Sequence, residues 1–307
     1  MITIKEATEL FEMPFLDLLH MAHSIHIENF QKNQIQASSL LSVKTGGCSE
    51  DCSYCAQSKK AKMPLQSIET IENIVSKAKD AKRMGATRFC MGASGRSPTD
   101  EFVNMMCEAV REVKKLGLET CITMGMLTEP QVKKLKESGL DYYNHNIDTS
   151  ESNYCNIITT HNFQDRIETI KLIQKYNINL CCGGIIGLGE TNEDRISMLV
   201  VLANMNPQPK SIPINKLIKI PGTDLANSPD VDVFDFVRTV ALARILMKKS
   251  YVRLAAGRSA MSEILQAMCF YAGANSIFLG EKLLTTINSS VSRDEQMFSK
   301  LGLKLMQ

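Results

Sequence analysis

Ten cysteines are spread along this 307-residue chain, and three of them fall within eight residues, in Cys48-Ser-Glu-Asp-Cys52-Ser-Tyr54-Cys55. Thiolates are soft ligands that select zinc or iron–sulfur centres. A structural zinc closes its tetrahedron with a fourth Cys or His, and none is adjacent. Three ligands on a four-iron cube leave one iron open to bind something else. Cys90, Cys121 and Cys181 lie in separate apolar runs. Each alone reads as a buried small hydrophobe. Side chains of neighbouring strand residues alternate, so only one of Cys181 and Cys182 can face inward. Asn144, Asn146 and Asp148 alternate at the end of another run. Three polar residues on one inward face are costly unless they cap the strand end or meet polar ligands; His145 then points away. Gly183-x-Ile185-x-Gly187-x-x-Glu190 is glycine-rich but lacks the G-x-G-x-x-G order of a dinucleotide loop. His20, His23 and His26 repeat every three residues, with no acids to complete a metal site, and read as one face of a surface helix.

The elements that must position these residues recur regularly. Short apolar or β-branched runs fall near residues 40–45, 88–93, 118–124, 142–147, 179–187, 211–219, 251–256 and 276–279, with helical spacing between them. Thr191 with Asp194 reads as a helix start, and Pro221-Gly222 as a turn. Eight strand–helix alternations predict an α/β fold with a parallel sheet, and eight is the number that closes a (β/α)8 TIM-type barrel. Residues 1–307 read as one domain. Within it, about residues 1–35 form an N-terminal helical extension, with a helix near 4–27 that could cap the barrel floor. In such a barrel the chemistry sits at the C-terminal ends of the strands. A net charge of +2 with interspersed signs gives no reason to expect nucleic acid. No apolar run reaches the roughly 18 residues of a membrane span. The first residues lack the basic start and apolar core of a signal peptide, so a cytoplasmic protein is expected.

C-x3-C-x2-C with an aromatic before the last Cys is the signature of the radical S-adenosylmethionine (SAM) superfamily. Nearly the whole chain resembles its biotin synthase family. The matching stretches include Leu40-Leu-Ser-Val-Lys-Thr-Gly46, Thr87-Arg-Phe-Cys-Met-Gly-Ala93, Asp141-Tyr-Tyr-Asn-His-Asn-Ile-Asp-Thr149, Asn156-Ile-Ile-Thr-Thr160, Gly183-Gly-Ile-Ile-Gly-Leu-Gly-Glu190, Tyr251-Val-Arg253 and Gly273-Ala-Asn-Ser-Ile-Phe278. The resemblance implies that Cys48, Cys52 and Cys55 hold a [4Fe-4S] cluster whose open iron binds SAM. It implies that Cys90, Cys121, Cys181 and Arg253 hold a [2Fe-2S] cluster inside the barrel, with Arg88, Ser38, Ser211 and Ser276 near it. Cys182 departs from the family pattern, and Cys107, Cys155 and Cys269 match no cluster position.

For SAM, the resemblance assigns Tyr54, Ala93, Asn146, Asp148, Arg166, Ile185 and Ile218. Among these, Asn146 and Asp148 take the ribose, Arg166 the methionine carboxylate and Ile185 the adenine. Without the family, Arg166 reads as a solvated helix arginine. For the substrate it assigns Asn144 and Asn215 to a ureido ring and Thr285-Thr286 to a carboxylate. The implied reaction is sulfur insertion into dethiobiotin: an adenosyl radical removes hydrogen from the substrate, and the resulting carbon radical takes sulfur from the inner cluster. The implied partners are an electron donor such as flavodoxin or ferredoxin, cluster-assembly proteins and a second copy in a homodimer. Two other readings compete. A radical SAM mutase or maturase that donates no sulfur needs no inner thiolate cage. An iron–sulfur carrier needs none of Asp148, Arg166 or the 183–190 segment.

Overall fold

The computed structural model describes residues 1–306. Helix starts are fixed by side chains that accept one of the amides left open in a first turn. Thr70 does this for α3 (Ile71–Arg83), Thr99 for α4 (Asp100–Lys114), Asn162 for α7 (Phe163–Lys175) and Thr191 for α8 (Asn192–Ala203). Helical spacing then turns one stripe inward. Ile74, Ala78 and Ala81 of α3, and Val103, Met106 and Val110 of α4, are buried. The remaining outer helices are α5 (Glu129–Glu137), α6 (Glu151–Ile157), α9 (Val233–Leu246) and α10 (Glu263–Tyr271), with α11 (Val291–Leu301) at the C-terminal end.

The strands are β1 (Gln34–Lys44), β2 (Arg88–Ala93), β3 (Glu119–Thr123), β4 (Tyr142–Asn144), β5 (Asn179–Cys181), β6 (Gly184–Ile186), β7 (Ser211–Lys216), β8 (Tyr251–Leu254) and β9 (Ser276–Leu279). Every neighbouring pair is parallel, and β9 returns to pair with β1, which closes the barrel. β5 and β6 share one position, so the barrel has the eight positions expected of a (β/α)8 fold. A short β10 (Lys304–Leu305) pairs with the start of β1.

Four details differ from the sequence reading. The run 179–187 is two strands, because Pro213 on β7 has no amide to offer the ladder and Gly183 lies against it. A Cβ at Gly183 would stand 2.0 Å from the Pro213 carbonyl oxygen. The run 142–147 ends as a strand at Asn144, and Asp148 follows in the left-handed region at φ 64°. β1 begins six residues before the predicted run, at Gln34, because its early inward residues Gln36 and Ser38 are polar. The N-terminal extension is two helices, α1 (Ile4–Phe11) and α2 (Phe15–Asn29), broken at Pro14. They pack on α8 and α9 in the outer helical layer rather than forming a plug of the floor. The His20–His23–His26 stripe is likewise no plain surface face. His26 is buried and stacks on Phe30, and burial pushes its pKa down to about 4.

The C-terminal end is anchored by one buried ion pair. Arg258 grips Asp294 of α11 with two 2.6 Å bonds, and Ser289 Oγ adds a third at 2.7 Å. Removing one partner of a buried pair strands the other charge and costs about 3–5 kcal/mol. Asp294→Ala should lose stability on that scale in chemical denaturation, and limited proteolysis should cut first between residues 280 and 301.

Candidate active site

The chain carries two sets of three thiols, and one cavity of about 260 Å³ at the C-terminal mouth of the barrel is lined by all three of the inner set and by Cys55 of the outer set. The inner set is placed by strand register. Cys90 of β2 is the Cα partner of Cys121 of β3, and Cys181 of β5 pairs with Asn144 on the strand between. All three thiols are buried and line the cavity. Cys182 faces the apolar packing behind the wall, as alternation requires.

Arg253 of β8 joins them from the opposite side. It is 1% exposed. Its Nε donates to Ser276 Oγ at 2.9 Å, and its Nη2 to Ser38 Oγ at 2.8 Å and Gln36 Oε1 at 3.3 Å. These acceptors are neutral. No carboxylate pairs with Arg253 and no hydrogen bond engages its Nη1 among the described residues. Below it, Arg88 is buried, ion-paired to Glu119 at 2.8 Å and stacked 3.5 Å over the Tyr142 ring. Arg88 Nη1 and Ser211 Oγ have no partner.

These cations act on the thiols. Hydrogen bonding with Cys121, whose one thiol proton can go to either neighbour, pulls Cys90 and Cys181 below the ordinary thiol value against the effect of burial, with Arg253 and Arg88 adding to the pull. Cys121 itself is pushed up by the same bonds.

The outer set lies on the loop after β1. Cys52 is buried, while Cys48 and Cys55 are partly exposed. Burial raises Cys52, and the nearby Asp148 raises it further; burial also raises Cys55. A metal reverses this preference, because it binds the deprotonated form. The loop is pinned from within and without. Gly46, at φ 81°, donates its amide to Gln57 Oε1 at 2.8 Å. Glu50 and Asp51 are hydrogen-bonded to the turn at residues 159–161. Burial would raise Asp51, but bonds from Thr159 and Thr160 hold it well below the usual carboxylate range. Among the described residues, no three His, Cys, Asp or Glu side chains converge for a single ion. Cluster thiolates bind different irons and need not meet at one point. Two sets of three thiols, one of them beside an unpaired guanidinium, fit iron–sulfur clusters as a donor set.

Between the two sets stands Asp148. Its side chain is enclosed, so burial raises its pKa, and this is partly offset by Arg166 and by Tyr54, whose hydroxyl donates to Oδ2 at 3.0 Å. Arg166 Nη2 lies 3.6 Å from the same oxygen, and its Nε donates to Tyr154 Oη at 3.0 Å. Asn144 and Asn146 line the same cavity although the strand has ended. Asn146 Oδ1 accepts the Gly183 amide at 3.1 Å, where the β5–β6 break leaves it free. His145 is buried behind the wall with neither ring nitrogen paired. Ile185, Asn215 and Ile218, together with Thr285 and Thr286, form the upper wall. Asn215 is held from both ends, donating to the Gly184 carbonyl at 2.9 Å and accepting the Ala256 amide at 3.0 Å.

Of the site residues singled out by sequence, Cys48, Cys52, Ala93 and Arg166 stand outside the cavity wall; Ala93 ends β2 beside Lys44. Cys107 and Cys269 are buried in packing and Cys155 is exposed, away from both thiol sets. Sequence reasoning missed Leu284, which sits so close over Gly92 that a Cβ there would be 2.4 Å away. It also missed the acidic pair Glu50 and Asp51.

Similarity to known proteins extends over nearly the whole chain. Residues 42–202 match the family model of the Radical SAM superfamily, and residues 213–304 that of the Biotin and Thiamin Synthesis associated domain. Biotin synthase of Rickettsia felis is 54% identical over 303 residues, 98% of this chain and 98% of that protein. Biotin synthase of Lawsonia intracellularis is 53% identical over 307 residues, covering 99% and 97%. Among solved structures, the FeFe-hydrogenase maturase HydG from Carboxydothermus hydrogenoformans superposes with a TM-score of 0.85 at 16% identity, over 99% of this chain and 76% of that one. Methylornithine synthase (PylB) gives 0.84 at 18% identity, over 99% and 94%. At such identities these two share the fold.

A lone buried guanidinium is a stability cost that a bound anionic group would offset. In iron-free protein, Arg253→Met should therefore be at least as stable as the parent, by up to about 4 kcal/mol. Thermal melts of the two apo proteins check this, and a lower-melting variant would show that the neutral oxygens alone satisfy Arg253.

Proposed function

The chain belongs to the biotin synthase family of radical SAM enzymes, and on that premise we propose that it inserts sulfur into dethiobiotin with two iron–sulfur clusters. The observation that carries this reading is one cavity that reaches from Cys55 of the outer thiol set to Cys90, Cys121 and Cys181 of the inner set, with Arg253, which has no carboxylate partner, beside the inner set. Cys48, Cys52 and Cys55 would hold a [4Fe-4S] cluster, and Cys90, Cys121, Cys181 and Arg253 a [2Fe-2S] cluster. When bound, the outer cluster supplies the electron that splits SAM and the inner one supplies sulfur; the protein contributes position and enclosure.

The chain's own residues fit these tasks. Asp148 is acceptor-only when ionised, and so is suited to a ribose hydroxyl. Tyr54 already holds one of its oxygens. Arg166, steadied by Tyr154, offers a fork to a carboxylate. Ile185 and Ile218 give an apolar face for adenine, with Asn146 beside Asp148. Asn144 and Asn215 are amides fixed by backbone bonds, placed to read a ureido ring. Thr285 and Thr286 would hold the substrate carboxylate at the rim. Apolar Leu40, Met91, Leu283 and Leu284 exclude water from the space between. An electron donor such as flavodoxin or ferredoxin, cluster-assembly proteins, a homodimer and a cytoplasmic setting belong to the same proposal. Among the described residues, no helix is long and apolar enough to cross a membrane.

Anaerobic reconstitution followed by Mössbauer spectroscopy tests the two-cluster reading. Wild type should hold about six irons of two cluster types. Cys52→Ala should lose reductive SAM cleavage altogether. Cys121→Ala should lose the inner cluster and biotin formation but keep some cleavage. A plateau at four irons, or wild-type biotin yield from Cys121→Ala, would remove the sulfur donor from the reading.

Asp148→Asn keeps the shape of the side chain but loses its charge and one acceptor. A hydrogen bond to a charged group contributes about 1.5–3 kcal/mol. SAM affinity should then fall by roughly ten- to a hundredfold. Calorimetric titration measures it, and unchanged affinity would place the ribose elsewhere.

A further inference from the structure

Glu50 and Asp51 lie between the first two thiols of the outer set, with no part in the chemistry assigned above. They are 6% and 4% exposed. Adjacent carboxylates buried in a loop are costly unless fully bonded. Their main partners come from one place over a hundred residues away, the turn Thr159-Thr160-His161 between α6 and α7. Asp51 Oδ1 accepts the amides of Thr159 at 2.9 Å and Thr160 at 3.2 Å, and the Thr159 hydroxyl donates to Oδ2. The Thr160 hydroxyl has a single proton. It goes to Glu50 Oε2 at 2.5 Å in preference to Asp51 Oδ1 at 3.1 Å. His161 Nδ1 meets the same Glu50 oxygen. Arg96 straddles the junction, with Nη1 2.6 Å from the Thr160 carbonyl and 3.4 Å from Glu50. A backbone bond from the Ser53 amide to the Ile157 carbonyl, at 3.0 Å, runs alongside.

What this clamp joins gives it a meaning beyond folding. On one side, Glu50 and Asp51 are flanked by Cys48 and Cys52. On the other side, α7 starts just after the turn and carries Arg166, while α6 carries Tyr154, which holds Arg166. The loop has bonds of its own that could fold it, such as Cys55 amide to Cys52 carbonyl at 3.0 Å and Lys59 amide to Glu50 carbonyl at 2.8 Å. The clamp adds a fixed relation between the loop and α7. A molecule that must be gripped at both ends of that relation is sensitive to errors of an ångström.

We propose that Asp51 and Glu50, bonded to Thr159 and Thr160, are positioning residues that set the register between the outer thiols and Arg166. The amino-acid end of SAM then meets the open iron and the guanidinium together. The inference rests on the function proposed above.

The test uses reconstituted, reduced protein. The variants are Asp51→Asn, which keeps an oxygen for the two backbone amides but turns an NH2 on the Thr159 hydroxyl and loses the charge, Thr159→Val, which loses only the hydroxyl, and Thr159→Ser, which keeps it. Iron content reads cluster retention. The change in the EPR signal of the reduced outer cluster during SAM titration reads binding at the iron. Steady-state rates separate KM from kcat. Asp51→Asn and Thr159→Val should keep their iron yet bind SAM at least about tenfold more weakly, with KM rising more than kcat falls. Thr159→Ser should stay within about twofold of the parent. If Asp51→Asn fails to fold, the Thr159 pair decides alone. Full iron with parental SAM titration in Thr159→Val would overturn the proposal, since the clamp would then only help the loop fold. Loss of outer-cluster iron in Thr159→Val would overturn it too, since the clamp would then serve metal retention. A wild-type protein with no SAM-dependent signal would overturn this inference and the functional reading together, and is thereby told apart from a failure confined to the variants.

Discussion

A guanidinium sealed at the axis of a barrel must be balanced, and Arg253 finds only the neutral oxygens of Gln36, Ser38 and Ser276 within reach. The negative partner the site calls for must come from the thiols across the axis or from what they bind. Cys90 and Cys181 already lean towards the thiolate. Much of the nearby architecture serves this balance. Ser276 passes its own proton to Gln36 at 2.6 Å, which leaves its lone pairs for Arg253. Arg88, the second cation, is paired with Glu119 and stacked on Tyr142, and it adds to the pull of Arg253 on the same thiols. A core designed for stability would place aliphatic layers here; this one gives up that packing for a polar cage.

The barrel wall has one irregular stretch, around the β5–β6 break. β4 ends early, and β5 is cut from β6 opposite Pro213, so several backbone groups lose their ladder partners. Side chains take over. Asn146 accepts the Gly183 amide, and Asn215 ties β7 to Gly184 and Ala256. Asp148 bridges to Gly184 from a left-handed backbone conformation. The residues assigned to SAM and substrate are in part the ones that repair the broken ladder. This fixes their side chains before any ligand arrives, and preorganisation of that kind lowers the entropy lost on binding.

Much of this was legible in the sequence. β2 and β9 run over the residues that their apolar pattern marks, and Thr191 caps α8 with Asp194 as the spacing predicts. That only one of Cys181 and Cys182 faces inward followed from alternation, and the family resemblance named Cys181 as that one. What failed did so where a polar residue inside the barrel has a distant partner. Gln36 and Ser38 disguised the first half of β1 because their reason for being inside, Arg253, lies more than 200 residues away. Glu50 and Asp51 look like solvated loop acids until the Thr159–His161 turn is folded against them. His26 looks exposed by spacing and is buried by the packing of α2 on α9. Local pattern carries secondary structure; it does not carry pairings closed only by the tertiary fold.

The barrel alone does not decide the chemistry. HydG and methylornithine synthase share nearly all of it at 16% and 18% identity, so the backbone is compatible with more than one reaction. What separates one use from another must be written in side chains that the barrel merely presents. In this chain the outer loop and the Asp148–Arg166 pair form one such unit at the mouth, and the inner thiols with Arg253 form a second at the axis. The two touch a common cavity but are built from different elements: the first from loops after the strands, the second from the strands themselves. A loop-borne unit can be adjusted by its clamp without disturbing the barrel. A strand-borne unit cannot move unless register moves, and a one-residue slip would turn every thiol outward. The rigid unit is therefore the one suited to hold a group at fixed depth, and the adjustable one is suited to bring a co-substrate to it.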